Sequence, residues 1–130
     1  MKKKTPAQLK KKADQLFSIY IRKKYAEDGY VACYTCNKKH PIAEMQCGHF
    51  VRRVHLATRW SEKNCRPQCF ACNVWKRGCY DEFARNLVLE CGPEILDELN
   101  RQKNQTVKMT VSKYNKLIDD LINKIAKLEF

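Results

Sequence analysis

The chain predicts an α+β fold: a small cysteine-stapled core of short hairpins, flanked by a basic N-terminal helix and by C-terminal helices. Three observations predict it. Apolar residues recur at helical spacing near both ends, two Cys-x-x-Cys pairs lie in the middle, and the residues between those pairs form short apolar runs without a sustained helical period. A length of 130 residues allows one domain with a modest core. Its expected parts are an N-terminal helix in residues 1–29, a core in 30–79 and a helical region in 80–130.

The first helix is predicted over residues 6–27. Thr5 caps it and Pro6 fits its first turn, where a missing N–H costs nothing. Leu9, Ala13, Leu16, Phe17, Tyr20, Ile21 and Tyr25 mark its apolar face and Gly29 its stop, while Lys and Arg crowd the outer face, as solvated charges or as phosphate contacts. Residues 30–60 predict a small hairpin or two around the turn-like NKKHP. CRPQCFACNVWKRG, residues 65–78, predicts a knuckle leading into a short helix that breaks near Gly78. CYDEFARNLVLECG predicts a helix ended by Gly92, and Pro93 opens another through EILDELNRQK. Last, Val111, Tyr114, Leu117, Ile118, Leu121, Ile122, Ile125 and Leu128 stripe one face of a helix over 110–128, as core or as a homodimer seam.

The charge is large and uneven. The formal net charge is +12, from 26 Lys and Arg against 14 Asp and Glu. Such an excess favours a polyanion, because each neutralised phosphate releases condensed counterions. Residues 1–24 hold nine basic residues against Asp14, and residues 31–79 hold nine against Glu44 and Glu62. Residues 80–100 reverse the sign. The nucleic-acid face is therefore expected within the first 79 residues. No apolar run is long enough to span a membrane, and the basic start lacks the apolar core of a signal peptide. The chain is expected in the cytosol, where eight cysteines favour metal binding and free thiols over disulfides.

The two pairs are Cys33-x-x-Cys36 and Cys69-x-x-Cys72. Each can present two thiolates from one tight turn, and two such turns fill a tetrahedral zinc shell. With four sulfurs the ion has no open position, so its expected role is structural. Cys47, Cys65, Cys79 and Cys91 are expected to be small buried hydrophobes. A rival shell drawing on Cys47, His49 or Cys65 would break up the cleaner pairs.

His49 is then free for other work. Asn73 follows the last cysteine of the second pair, at the start of a predicted helix. It reads as a helix cap or, through a hard amide oxygen, as a ligand for Mg²⁺ or Mn²⁺. Folding one pair over the other brings His49 and Asn73 to face each other across a cleft. An imidazole base and a divalent ion suffice for phosphodiester hydrolysis. Arg52, Arg53 and Arg59 are near enough in sequence to clamp phosphates, and His55 is either a phosphate donor or a packed imidazole.

Paired CxxC motifs, an intervening His49, Asn64 before the second pair and Asn73 just after it resemble an HNH nuclease of the ββα-metal class. AEMQCGHFVRRVHLATRWSEKNCRPQCFACN, residues 43–73, is more specifically similar to the NinG family of lambdoid-phage recombination endonucleases. Gly48–Phe50, His55–Trp60, Asn64–Asn73 and Tyr80–Gly92 carry the similarity. It implies His49 as general base, Asn64 as the residue holding the base-bearing loop and Asn73 as ligand of the catalytic metal. It also implies a metal-dependent nuclease acting on branched DNA such as D-loops and Holliday junctions. The chain departs from many HNH enzymes at Gly48, where those carry an acidic second metal ligand. Glu44, Gln46 and His55 are the residues left to supplement Asn73. Symmetric resolution of a junction implies two sites and hence a homodimer. The rival expectation is a zinc protein that binds DNA without cutting it.

Overall fold

The computed structural model describes residues 3–129; residues 1, 2 and 130, at the outer ends of the first and last expected segments, lie outside that span. Helix α1 spans Pro6–Lys24. Its start is closed by a reciprocal pair: the Thr5 hydroxyl accepts the Gln8 amide at 3.2 Å, and the Gln8 side chain accepts the Thr5 amide at 2.8 Å. It ends short of residue 27 because the following turn places Asp28 and Gly29 in left-handed backbone, at φ 54° and 83°. That turn feeds a hairpin of β1, Tyr30–Ala32, and β2, Lys39–Pro41, paired antiparallel with Val31 opposite His40.

A second antiparallel hairpin joins β3, Gln46–His49, to β4, Cys65–Gln68, with Gly48 opposite Arg66 and His49 opposite Cys65. The loop between them carries the short helix α2, Leu56–Arg59, and a 3₁₀ turn, Glu62–Asn64. After β4 the chain winds into a wide π-helical turn, Ala71–Trp75, in which the Lys76 amide reaches back to the Ala71 carbonyl at 2.9 Å. This turn occupies the place of the short helix expected there. Helices α3, Tyr80–Cys91, α4, Ile95–Lys103, and α5, Val111–Leu128, complete the chain. No helix among the described residues is long and apolar enough to cross a membrane.

Two-stranded sheets of this size need packing partners. The β3–β4 hairpin finds one in α1 and α5, whose Phe17, Tyr20, Ile21 and Leu121 bury Cys65. Further along the same pair of helices, Leu9 and Ala13 pack against Tyr114 and Ile118. Of the C-terminal stripe, Tyr114, Ile118 and Leu121 are thus core, Leu117 and Ile125 are half-buried beside them, and Val111, Ile122 and Leu128 stay exposed. Tyr114, Ile118 and Leu121 are covered by α1 of the same chain, which removes them as a seam for a second copy. Phe83, Leu87, Ile95 and Leu99 of α3 and α4 form a third cluster over Val51. Polar ties lock these parts together. Glu62 takes Tyr20 Oη at 2.9 Å and Lys24 and Lys124 at 3.0 Å each, joining α1, the 3₁₀ turn and α5. Arg66, almost fully buried, is paired with Glu90 of α3 at 3.1 Å and donates to the carbonyls of Glu62 and Cys65.

Candidate functional site

The two CxxC turns meet. Cys33 and Cys36 leave β1, Cys69 and Cys72 leave β4, and the four sulfurs lie within 4.8 Å of one another, Cys36 and Cys69 at 3.7 Å. Burial pushes the Cys33 thiol up, but the Thr35 hydroxyl and the amides of Cys69, Cys36 and Thr35 outweigh it and hold it at about 6. Burial and the neighbouring sulfurs drive Cys72 the other way, well above the usual thiol range. Several thiols crowded in one buried spot are stabilised by a soft cation that accepts their lone pairs, and the cluster suggests a structural zinc. It ties the first hairpin, β4 and the π-helical turn to one point.

Near this cluster a cleft of about 760 Å³ opens between α1, β3, the 51–54 loop and the π-helical turn. His49 and Asn73 both line it. The His49 Nε2 lies 2.8 Å from the main-chain carbonyl of Arg59. A carbonyl only accepts, so the neutral ring carries its proton on Nε2 and keeps its free lone pair on Nδ1. Burial lowers the His49 pKa below its ordinary value, against the opposing pull of the Arg59 carbonyl, and the nearby Arg53 charge adds to the lowering. Burial thus favours the neutral ring.

Asn73 sits inside the π-helical turn, where its side chain caps no helix. Its Nδ2 donates to Gln46 Oε1 at 2.7 Å. That bond fixes the amide and leaves its oxygen as the spare acceptor in the cleft. Asn64 lies outside the cleft and fully buried. Its Nδ2 donates to the carbonyls of Val51 and Thr58 at 3.0 and 3.1 Å, and its Oδ1 accepts the Val51 amide at 2.7 Å. Three bonds from one side chain span the loop that follows His49.

Arg52 and Arg53 are exposed on the cleft wall. Arg59 is not a free clamp. Its guanidinium pairs with both oxygens of Asp14, at 3.0 and 2.6 Å, and donates to the Arg53 carbonyl at 2.9 Å. His55 is not among the cleft residues; it lines an adjoining concavity with Phe50, Leu96 and Lys103, which shares Arg52 and Tyr80 with the cleft. Glu44 is exposed on a second 3₁₀ turn, Ile42–Glu44, before β3 and is not among the cleft residues, whereas Gln46 is. Gly48 has a steric reason: a Cβ there would sit 1.9 Å from Gln68 Oε1. Gln68 is fully buried and its Nε2 donates to Thr35 and Gly78, so no side chain fits at residue 48.

The cysteines outside the pairs differ from the expected buried set. Cys65 is buried, Cys47 and Cys79 are half-buried, and Cys91 is exposed beside the Arg66 guanidinium. Asp14 and Arg22 of α1 were not foreseen as cleft residues, yet both line it. Asp14 carried a signal, being the lone acid among nine bases in residues 1–24. Arg22 carried none; it is held by the Ile42 carbonyl at 2.9 Å.

Comparison with known proteins gives a consistent relation. The family described as "Bacteriophage Lambda NinG protein" matches residues 1–130. The chain is 26% identical over 121 residues, 87% of its length, to a protein named ninG of Escherichia phage lambda, and equally to those of Escherichia phage 933W and Enterobacteria phage VT2-Sa. It spans 57–58% of the length of these curated relatives. No solved structure matches.

Proposed function

This chain belongs to the NinG family of bacteriophage proteins, and from that premise we propose that it is a divalent-metal-dependent DNA endonuclease acting on branched recombination intermediates. The observation that carries the reading is the shared cleft. His49, with its Nε2 tied to the Arg59 carbonyl, and Asn73, with its amide oxygen unspent, line one cavity with Arg52 and Arg53 at its wall. The β3–loop–β4 hairpin followed by the π-helical turn, stapled by a zinc on Cys33, Cys36, Cys69 and Cys72, corresponds to the ββα-metal core of HNH nucleases.

In this reading the neutral His49 imidazole takes a proton from the attacking water at Nδ1, and the Arg59 carbonyl steadies the imidazolium that results. Arg52 and Arg53 contact the phosphates on either side of the scissile bond. Asn73 would hold Mg²⁺ or Mn²⁺ through its amide oxygen, and the donor fits: it is hard, fixed by Gln46 and without a hydrogen bond to its oxygen among the described residues. When bound, such an ion stabilises negative charge developing on the phosphoryl and leaving oxygens. With no side chain at Gly48, such an ion would have few protein ligands and would be held weakly. D-loops and Holliday junctions are the proposed substrates, chosen by shape. Two-fold resolution of a four-way junction calls for a homodimer, formed through a surface other than the α1–α5 contact. The site of action is the cytosol of the bacterial host.

Nicking of synthetic four-way junctions and D-loops in Mg²⁺ or Mn²⁺ tests the reading. His49→Ala is expected to lower cleavage by about 10²–10⁴-fold while junction binding is retained. Undiminished cleavage would remove His49 from the chemistry. Binding without cleavage by the unaltered protein, in every divalent ion, would leave a zinc protein that grips DNA without cutting it.

A further inference from the structure

We propose that Cys47, Cys65 and His49 form a second metal site, selective for a thiophilic ion such as Zn²⁺, whose filling silences the cleft. The site's existence is independent of the proposed nuclease activity; only the silencing rests on His49 as the base.

Strand geometry assembles the three residues. Cys47 and His49 are two apart on β3 and share one face. Cys65 stands directly opposite His49 across the β3–β4 ladder, and cross-strand partners on one face come close enough to touch. One ligand atom from each lies within 4.8 Å of the other two, the same limit met by the four-cysteine cluster. Zn–S bonds near 2.3 Å in tetrahedral geometry put two sulfurs about 3.8 Å apart, so an ion needs to draw these atoms together by no more than about 1 Å.

The donor set selects the ion. Two thiolates cancel the charge of a dication, which suits a half-buried spot, and an imidazole with two sulfurs prefers Zn²⁺ to Mg²⁺ or Mn²⁺. The Arg59 carbonyl lies 2.8 Å from His49 Nε2 and 3.9 Å from Cys65 Sγ, so the imidazole and that thiol meet at one point of the backbone. Access is also provided. Cys47 and His49 line the main cleft, with Cys65 buried beneath them. The cleft thus offers a hard donor at Asn73 and a soft set at its floor, and the soft set includes the imidazole. A neutral imidazole that ligates an ion through either ring nitrogen carries its proton on the other, so no lone pair remains to accept the water's proton. The two uses exclude each other.

The test is metal stoichiometry on the full chain, with zinc, and with ¹¹³Cd as a spectroscopic probe. The unaltered protein is expected to bind two zinc ions, and Cys47→Ser one. Two cadmium resonances are expected, of which the all-sulfur signal survives in Cys47→Ser and the other disappears. Cys65→Ala should behave like Cys47→Ser; because Cys65 is core, its folding is checked by circular dichroism, and Cys47→Ser, at the half-exposed cleft position, decides if it fails to fold. One zinc per unaltered chain, or two retained in Cys47→Ser, would overturn the site. In Mg²⁺ the second equivalent of zinc is expected to lower junction cleavage at least tenfold in the unaltered protein and not in Cys47→Ser. A filled second site with cleavage undiminished would overturn the silencing. A chain that never cleaves would overturn it too, along with the proposed function, and the stoichiometry would still decide the site.

Discussion

The Arg59 carbonyl lies 2.8 Å from His49 Nε2, while the guanidinium of the same residue grips both carboxylate oxygens of Asp14 on α1. Asp14 also accepts the Trp60 indole N–H at 3.0 Å. Burial pushes the Asp14 carboxyl up, but Arg59 and Trp60 outweigh it and hold it below its ordinary value, and Asp14 in turn raises Arg59. The imidazole is therefore braced, through one arginine, against the first helix of the chain. A residue that looks from its surroundings in the sequence like a phosphate clamp is a strut.

Arg53 and Arg59 should consequently respond differently to substitution. Arg53→Ala is expected to weaken DNA binding and to reduce the slope of log affinity against log salt by about 1. Arg59→Met should leave that slope unchanged and destabilise the fold by about 2 kcal/mol, the scale of lost charge-assisted hydrogen bonds. Salt-dependent binding titrations and denaturant melts separate the two. Equal slope changes would return Arg59 to the phosphate-binding set.

Gly48→Ala tests the close approach of β3 to Gln68. The new Cβ would meet Oε1 at 1.9 Å and the next two carbons of that side chain at 2.6 and 2.7 Å. Gln68 is fully buried and tied at both Thr35 and Gly78, so it has little room to yield. A loss of about 1–3 kcal/mol is expected, the scale of overpacking a tight core. An unchanged melting temperature would show that Gln68 can swing aside.

Asn64→Ala removes three bonds at once and leaves the Val51 amide and the Val51 and Thr58 carbonyls without this partner. The expected loss is about 2–4 kcal/mol. Amide exchange should also speed up across residues 51–58 more than elsewhere. Exchange that rises uniformly would mean that Asn64 supports the whole core and not this loop in particular.

Glu62 gives the fold an acid-sensitive joint. Burial opposes its ionisation, but Lys124, Lys24 and Tyr20 prevail and bring its pKa from an ordinary 4.5 to about 2. A carboxylate depressed in the folded state contributes stability that is complete above the unfolded pKa and lost as pH falls through the folded one. The advantage of the unaltered chain over Glu62→Gln should thus hold above pH 4.5, shrink as pH falls to 2 and vanish below it. Melting both proteins from above pH 4.5 to below pH 2 checks it, and a gap that stays undiminished over that range would exclude the ionised carboxylate as its source.

What the sequence by itself determined is local. Thr5, Pro6 and Gly92 bound their helices because caps and stops act on the nearest turn. The CxxC pairs identified their cluster because two thiols in one turn have few other uses. His49 and Asn73 could be brought to one cleft because both are tied to that cluster by short stretches of chain. The tertiary structure decided what depends on partners far along the chain. Arg59 goes to Asp14, the α5 stripe goes to α1, Cys91 stays exposed, and Gly48 yields its space to Gln68. Each of these is a competition among distant groups for one burial site or one charge, and periodicity and spacing record only what each residue brings to it.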